Sequence, residues 1–221
     1  MDTLQLRRWR WKRRASPAPE LRRAWNRPPS RRTPVGELEF LVCDAEMSGL
    51  DPSAAELLSL GWVRVRRHEI LLGCAEHHLI RNRGSVGQSA TVHRLRDCEL
   101  AEGGGTLQEA LGALLRAATG SVLVFHNAAL DMAFLNRASK AVLGAPLLLP
   151  VVDTLALERR LMQRRDQTPV QGALRLQACR NRYGLARHDA HNALADALAT
   201  AELLLAHIAA RGPGLRLADL R

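Results

Sequence analysis

The 221 residues include only two lysines, Lys12 and Lys140, among 32 basic residues. With so much Ala and Leu alongside, this is a compositional bias toward arginine, and arginine count alone is weak evidence for phosphate binding. The four cysteines, Cys43, Cys74, Cys98 and Cys179, include no C-x-x-C pair, which fits reduced thiols better than a disulfide framework or a zinc site. No apolar run approaches the ~20 residues of a bilayer span, and no signal-peptide apolar region follows the basic start. A cytoplasmic protein without a membrane partner is expected. Gly103-Gly104-Gly105 lacks the Lys-Ser/Thr that would make it a phosphate loop, and no internal repeat is present.

What is there divides unevenly. Residues 1–35 hold 11 of the 32 bases and 2 of the 22 acids, so this stretch carries +9 and the remaining residues +1. It also holds Pro17, Pro19, Pro28, Pro29 and Pro34, with Trp9, Trp11 and Trp25. A short basic helix to Ala15 followed by an irregular arm to Pro34 is expected. Interleaved Arg and Trp suit a nucleic-acid backbone; a solvated arm whose tryptophans pack on the body, or an Arg-rich transit peptide, are the alternatives. The expected organisation is an arm over 1–35, one domain over 36–211 and a short tail over 212–221.

Three segments read as an antiparallel meander: the short apolar run opening the Glu39–Asp51 stretch, which ends in a glycine turn, then Glu56–Arg66 and Ile70–Ile80, the last two joined by the tight Arg67-His68-Glu69 connection. Residues 81–105 read as loop. Helical spacing over 106–119 and 128–140 flanks a buried strand at 121–125; a short strand at 150–153 leads into helices over 154–164, 174–183 and 192–210. The order predicts an α/β fold whose five-stranded mixed sheet, a meander followed by parallel strands, is flanked by helices.

The chemistry gathers in three places. Asp44 and Glu46 end an apolar strand and, one residue apart, project to the same face. Held that close they repel each other unless a cation lies between them, and an all-oxygen pocket suits Mg2+ or Mn2+; a pair past the strand end would simply be solvated. Asp131 follows His126-Asn127 in the first turns of a helix that Asn127 can cap, where a carboxylate is also favoured by the helix N-terminus. Asp196 sits in an Ala/Leu-rich helix, where an unpaired carboxylate is costly. His191, five residues earlier, would not share its face if both were helical, so it belongs on the lead-in loop with Asn192 as the cap. His188 and Asp189 as a separate metal cluster lack a further ligand at suitable spacing.

Asp44-Ala45-Glu46-Met47-Ser48-Gly49-Leu50, His126-Asn127-x-x-Leu130-Asp131-x-x-Phe134-Leu135 and His191-x-x-x-x-Asp196 together resemble the motifs of the DEDDh exonucleases. These belong to the ribonuclease H-like superfamily, which includes the proofreading epsilon subunit of bacterial DNA polymerase III. Val152-Asp153-Thr154 matches a further element of the pattern, and the likeness runs from about Glu37 to Ala210. It implies a ribonuclease H-like fold and a 3′-5′ exonuclease acting on single-stranded or frayed nucleic acid, DNA favoured and RNA the alternative, and releasing nucleoside 5′-monophosphates. Asp44, Glu46, Asp131 and Asp196 would hold two divalent cations, Mg2+ or Mn2+, with His191 as general base. Ala45, Met47, Ser48, Gly49 and Leu50 would meet the terminal nucleotide, Leu50 as a wedge, with His126, Asn127 and Phe134 supporting it. His93 falls in a region that often contacts substrate in this family.

Met47 stands where the epsilon subunit has Thr and is closer to the oligoribonuclease branch, whereas His191 and His126-Asn127 are epsilon-like. The few residues after Ala210 are too short for the epsilon subunit's polymerase-binding segment, and Gln167-Thr168-Pro169 is a weak clamp-binding candidate. The expectation is therefore a stand-alone or accessory enzyme with a replication or repair partner open. An oligoribonuclease-like enzyme and a non-catalytic nucleic-acid scaffold are the alternatives.

Overall fold

Strand β1 (Glu39–Met47) is the centre of the sheet, and its alternation assigns each face a different partner. In this computed structural model, which describes residues 3–26, 28–81 and 103–221, β1 pairs antiparallel with β2 (Leu57–Arg66), and β2 with β3 (Glu69–Leu79). On its other side β1 runs parallel to β4 (Val122–Phe125), which runs parallel to β5 (Val151–Asp153), giving the order β3-β2-β1-β4-β5. The expected meander and mixed sheet are both present, with boundaries shifted by a residue or two.

Leu41, Cys43 and Ala45 face one layer, formed by α2 (Pro19–Asn26), α3 (Leu107–Ala118) and α4 (Ala128–Leu143). Phe40 and Val42 face the other, where α7 (Ala193–Arg211) lays Ala197, Ala201, Leu204 and Ile208 on the sheet. α5 (Thr154–Arg164) and the short α6 (Leu176–Asn181) complete that layer. Beneath them a buried polar network joins the three helices. Glu158 pairs with Arg182 at 2.6 Å and lies 3.2 Å from His207, to whose other nitrogen Tyr183 is bonded. Contrary to the sequence expectation, α7 is long and apolar enough to span a bilayer, but half of that stretch is buried inside the fold, as in a core helix.

The N-terminal region departs from the irregular arm expected over 16–34. After α1 (Thr3–Arg14), helix α2 places Leu21, Ala24 and Trp25 on one face at helical spacing, and all three are buried. Each large apolar side chain buried this way contributes roughly 1.5–3 kcal/mol, enough to order a short helix that propensity alone would not. Arg8 is buried too, donating to the carbonyls of Leu148 (2.8 Å) and Trp25 (2.9 Å), while Trp25 Nε1 donates to Leu147 O. At the other terminus Leu217 and Leu220 are fully buried, and residues 31–35 bond to 215–218 through main-chain N–H groups. His93 and Cys98 lie outside the described residues.

Candidate active site

The three carboxylate-bearing segments meet where the parallel strands end. Asp44 and Glu46 leave β1 on the face covered by α7, and Asp44 stands directly opposite Gly61 of β2. Gly61 is what lets α7 in. A Cβ there would lie 2.3 Å from the backbone nitrogen of Leu194 and 2.4 Å from the carbonyl carbon of Ala193. With the helix start pressed onto bare backbone, Asp196 reaches the acids of β1. Carboxylate oxygens of Asp44, Glu46 and Asp196 lie within 4.8 Å of one another.

Asp131 enters from the other layer. It is buried at 5% exposure on α4, and its carboxylate accepts main-chain N–H groups, one of them from Ala45. Asp44, Glu46 and Asp131 all have raised proton affinities. Burial, then the charges of Asp131, Asp196 and Glu46, holds Asp44 well above the usual carboxylate range. Glu46 is pushed up to about 7 by burial first and by Asp196 second. Asp131 reaches about 7, chiefly by burial, against the opposing pull of its N–H bonds. An all-oxygen donor set this crowded fits a hard divalent cation, whose charge would reverse those shifts.

Asp196 has specific partners. Its Oδ2 accepts from the His191 backbone N–H at 2.8 Å, and its Oδ1 bonds to His188 Nε2 at 2.7 Å; His188 Nδ1 in turn faces Gln177 Oε1 at 2.8 Å. Nothing in the sequence marks His188 as a partner for Asp196, because the loop that folds it back has no helical or strand period to betray it. His191 takes the left-handed conformation, φ 70°, on the lead-in loop. Its side chain is exposed, with no hydrogen-bond partner among the described residues. Asn192 caps α7 as expected, accepting from Leu194 N and Ala195 N, both at 3.1 Å.

The remaining residues divide by role. Ala45's side chain is in the core, and Met47, Ser48 and Gly49 are half-buried. Leu50, 79% exposed, stands at the tip of a loop closed by the Ser48–Glu56 bonds and held to α4 by Arg137, which donates to Pro52 O and Ala55 O. Phe134 is buried yet lines a cleft of ≈ 670 Å³ with Leu57, Thr106 and Arg137, one turn along α4 from Asp131. His126 is locked by both nitrogens, to Thr154 Oγ1 and Leu174 O at 2.8 Å each. Asn127 occupies the cap position of α4 in the left-handed region, but its side chain makes no capping bond. Instead its N–H donates to Asp153 Oδ1 at 3.0 Å. Asp153 and Thr154 thus serve as the joint that holds the His126-Asn127 turn.

Residues 41–204 match the family described as "Exonuclease". Among curated relatives, a PolC-type DNA polymerase III of Thermotoga maritima is 30% identical over 171 residues, covering 77% of this chain and 12% of that protein. A DNA polymerase III subunit epsilon-like protein of Rhodobacter capsulatus is 31% identical over 177 residues, covering 78% and 24%. This chain therefore spans a minor part of the length of either. Among solved structures, E. coli Exonuclease I in complex with a dA16 oligonucleotide superposes with a TM-score of 0.66 at 17% identity, over 82% of this chain and 42% of that one. With the strand order and acid constellation above, these matches place the chain in the DEDDh (DnaQ-like) family of 3′-5′ exonucleases, of ribonuclease H-like architecture and related to epsilon-type proofreading exonucleases.

Proposed function

We propose that this chain removes nucleotides one at a time from the 3′ end of single-stranded or frayed DNA, releasing nucleoside 5′-monophosphates. The observation that carries this reading is the convergence of Asp44, Glu46 and Asp196 within 4.8 Å, beside an exposed histidine on the loop leading into α7. In it Asp44, Glu46, Asp131 and Asp196 hold two Mg2+ or Mn2+ ions. Bound there, the ions supply a water of lowered pKa and charge compensation for the leaving 3′-oxygen. His191, with neither ring nitrogen engaged, takes the proton from the attacking water. Met47, Ser48 and Gly49 carry the backbone past the terminal nucleotide, Leu50 wedges against a base, and the cleft beside Phe134 receives the terminal base. Ala45 and Asn127 contribute main-chain N–H groups that fix Asp131 and the His126 turn.

The names of these two relatives, both DNA polymerase III proteins, favour DNA and a replication setting. Met47 favours the second reading, an RNA exonuclease or oligoribonuclease-like enzyme. One assay separates them. End-labelled single-stranded DNA and matched RNA are incubated with Mg2+, Mn2+ or EDTA, using wild type and His191→Ala. A metal-dependent ladder shortening from the 3′ end, lost in the variant, is expected, faster on DNA. No ladder on either strand with either metal would sink the catalytic reading and leave a binding scaffold.

A further inference from the structure

Four arginines of the body are held in ion pairs: Arg64 and Arg66 with Glu39, Arg180 with Glu202 and Arg182 with Glu158. The β5 edge of the sheet is different. A cleft of ≈ 510 Å³ opens there, lined by Arg31, Arg159, Arg160 and Arg221, with Thr3 at the start of α1 and Asp153 at the end of β5. Asp153 forms no ion pair with Arg31 or Arg159, and its Oδ1 is shared between the N–H groups of Asn127 and Leu155 at 3.0 Å each. Arg160 is committed to the backbone oxygens of Leu220 and Arg221. Arg31 and Arg159 are exposed and form no ion pair among the described residues.

The positive charge is felt by its neighbours. Arg211 has its proton affinity pushed down, by burial first and then by the charges of Arg160 and Arg164. Guanidinium groups gathered around one small cleft are stabilised by an anion that can accept paired N–H bonds, and phosphate is the natural fit. The position is informative as well. β5 neighbours β4, which neighbours β1, so at about 4.8 Å per strand the β5 edge is roughly 10 Å across the sheet from the strand that carries Asp44 and Glu46. Asp153 connects the two, lining the cleft on one side and holding the His126-Asn127 turn on the other.

We infer that this cleft binds phosphates of the nucleic-acid backbone flanking the reacting 3′ end, an inference that rests on the proposed action on nucleic acid. Arg31 and Arg159 supply the contacts, while Arg160 holds the wall. A strand that reaches both the carboxylates and the cleft is anchored at two points.

The test is binding of the full chain to a fluorescent single-stranded dT16 in EDTA, read by anisotropy across a salt series. The double variant Arg31→Gln/Arg159→Gln should bind roughly tenfold more weakly at low salt, and its slope of log affinity against log salt should be shallower by about 1.4, two phosphates' worth. Arg116→Gln, on α3 near the β3 edge, should bind as wild type does, and melting curves should match across all three. Affinity and slope unchanged in the double variant would overturn the assignment. So would an unchanged oligonucleotide affinity with lost binding to phosphatidylglycerol vesicles, which would give the cleft to lipid headgroups. Because binding is read without metal, it is independent of hydrolysis. A chain that cuts no 3′ end but loses affinity in the double variant would end the exonuclease reading and keep the cleft; a chain that cuts while the variant binds normally would do the reverse.

Discussion

Two clusters of like charge border the same sheet, and the fold treats them oppositely. The carboxylates of Asp44, Glu46, Asp131 and Asp196 are half-buried or buried, pushed together by β1, α4 and α7, and three of them have raised proton affinities. Arg31 and Arg159 at the β5 edge remain exposed. Buried like charges must be neutralised by a proton or a cation, whereas exposed ones are screened by water and salt until an anion arrives. The acid cluster should therefore govern the stability of the fold as well as its chemistry. The basic cluster should govern only binding.

The sharpest test of that contrast is to remove one acid. Asp196→Asn should lower exonuclease activity by roughly 10³-fold or more, since it deletes one of the four proposed metal ligands. In the absence of metal at pH 8 the same variant should melt a few degrees higher than wild type, because one repulsive charge is gone. Activity is read by the 3′ ladder and stability by thermal melting in EDTA. Loss of activity together with a lower melting temperature would mean that Asp196 is a structural capping acid and not a crowded ligand.

Next in size is Gly61, which tests what holds the acids together. In Gly61→Ala the new methyl would overlap the backbone of Leu194 at 2.3 Å, so α7 must back away from β2. Overpacking against backbone costs typically 1–3 kcal/mol, and Asp196 moves with the helix. A stability loss of that order, by denaturant melting, should accompany a fall in activity. Gly73, in the same sheet but with open space beside it, should tolerate alanine within about 0.5 kcal/mol.

The two clusters also differ in how far the sequence revealed them. Asp44 and Glu46 were legible because strand alternation forces acids one residue apart to one face, and His191 could be put on a loop because helical geometry separates it from Asp196. The meander and the five-stranded mixed sheet followed from the same periodicities. Gly61 was not legible: a glycine inside a strand says that something approaches closely, without saying what. His188 was missed because a loop folds it back onto Asp196. Helix α2 was obscured by the prolines around it, although Leu21, Ala24 and Trp25 already carried a helical spacing. The basic cleft draws on residues near 31, near 160 and at 221, and an Arg-rich chain hides such a cluster until the fold collects it.

Titration without metal should sharpen the contrast further. A carboxylate whose folded-state value is raised binds its proton more tightly when folded, so its contribution to stability is greatest at low pH and falls as pH rises through the folded value. For Glu46 and Asp131 the window runs from ordinary carboxylate values to about 7. In EDTA the melting temperature should decline across that window. Added Mn2+ should restore it by several degrees at pH 8 and far less at pH 5, where protons compete for the same oxygens. Equal metal stabilisation at both pH values would argue against the acid cluster as the binding site.

The smallest effect expected, and the most discriminating, concerns His188. It grips Asp196 Oδ1 at 2.7 Å and is itself held by Gln177, so it fixes the carboxylate's orientation. Partners of metal ligands typically matter by about 10- to 100-fold in metal affinity. His188→Ala should therefore raise the Mn2+ concentration needed for half-maximal activity by about tenfold and leave the rate at saturating metal near wild type. His191→Ala should do the opposite, with the rate lost at every metal concentration and the metal requirement little changed. If the two variants behave alike, His188 touches the substrate and the division of labour between the two histidines is wrong. If His188→Ala changes neither quantity, Asp196 is oriented by the His191 backbone N–H alone, and the bond to His188 exists only until a cation displaces it.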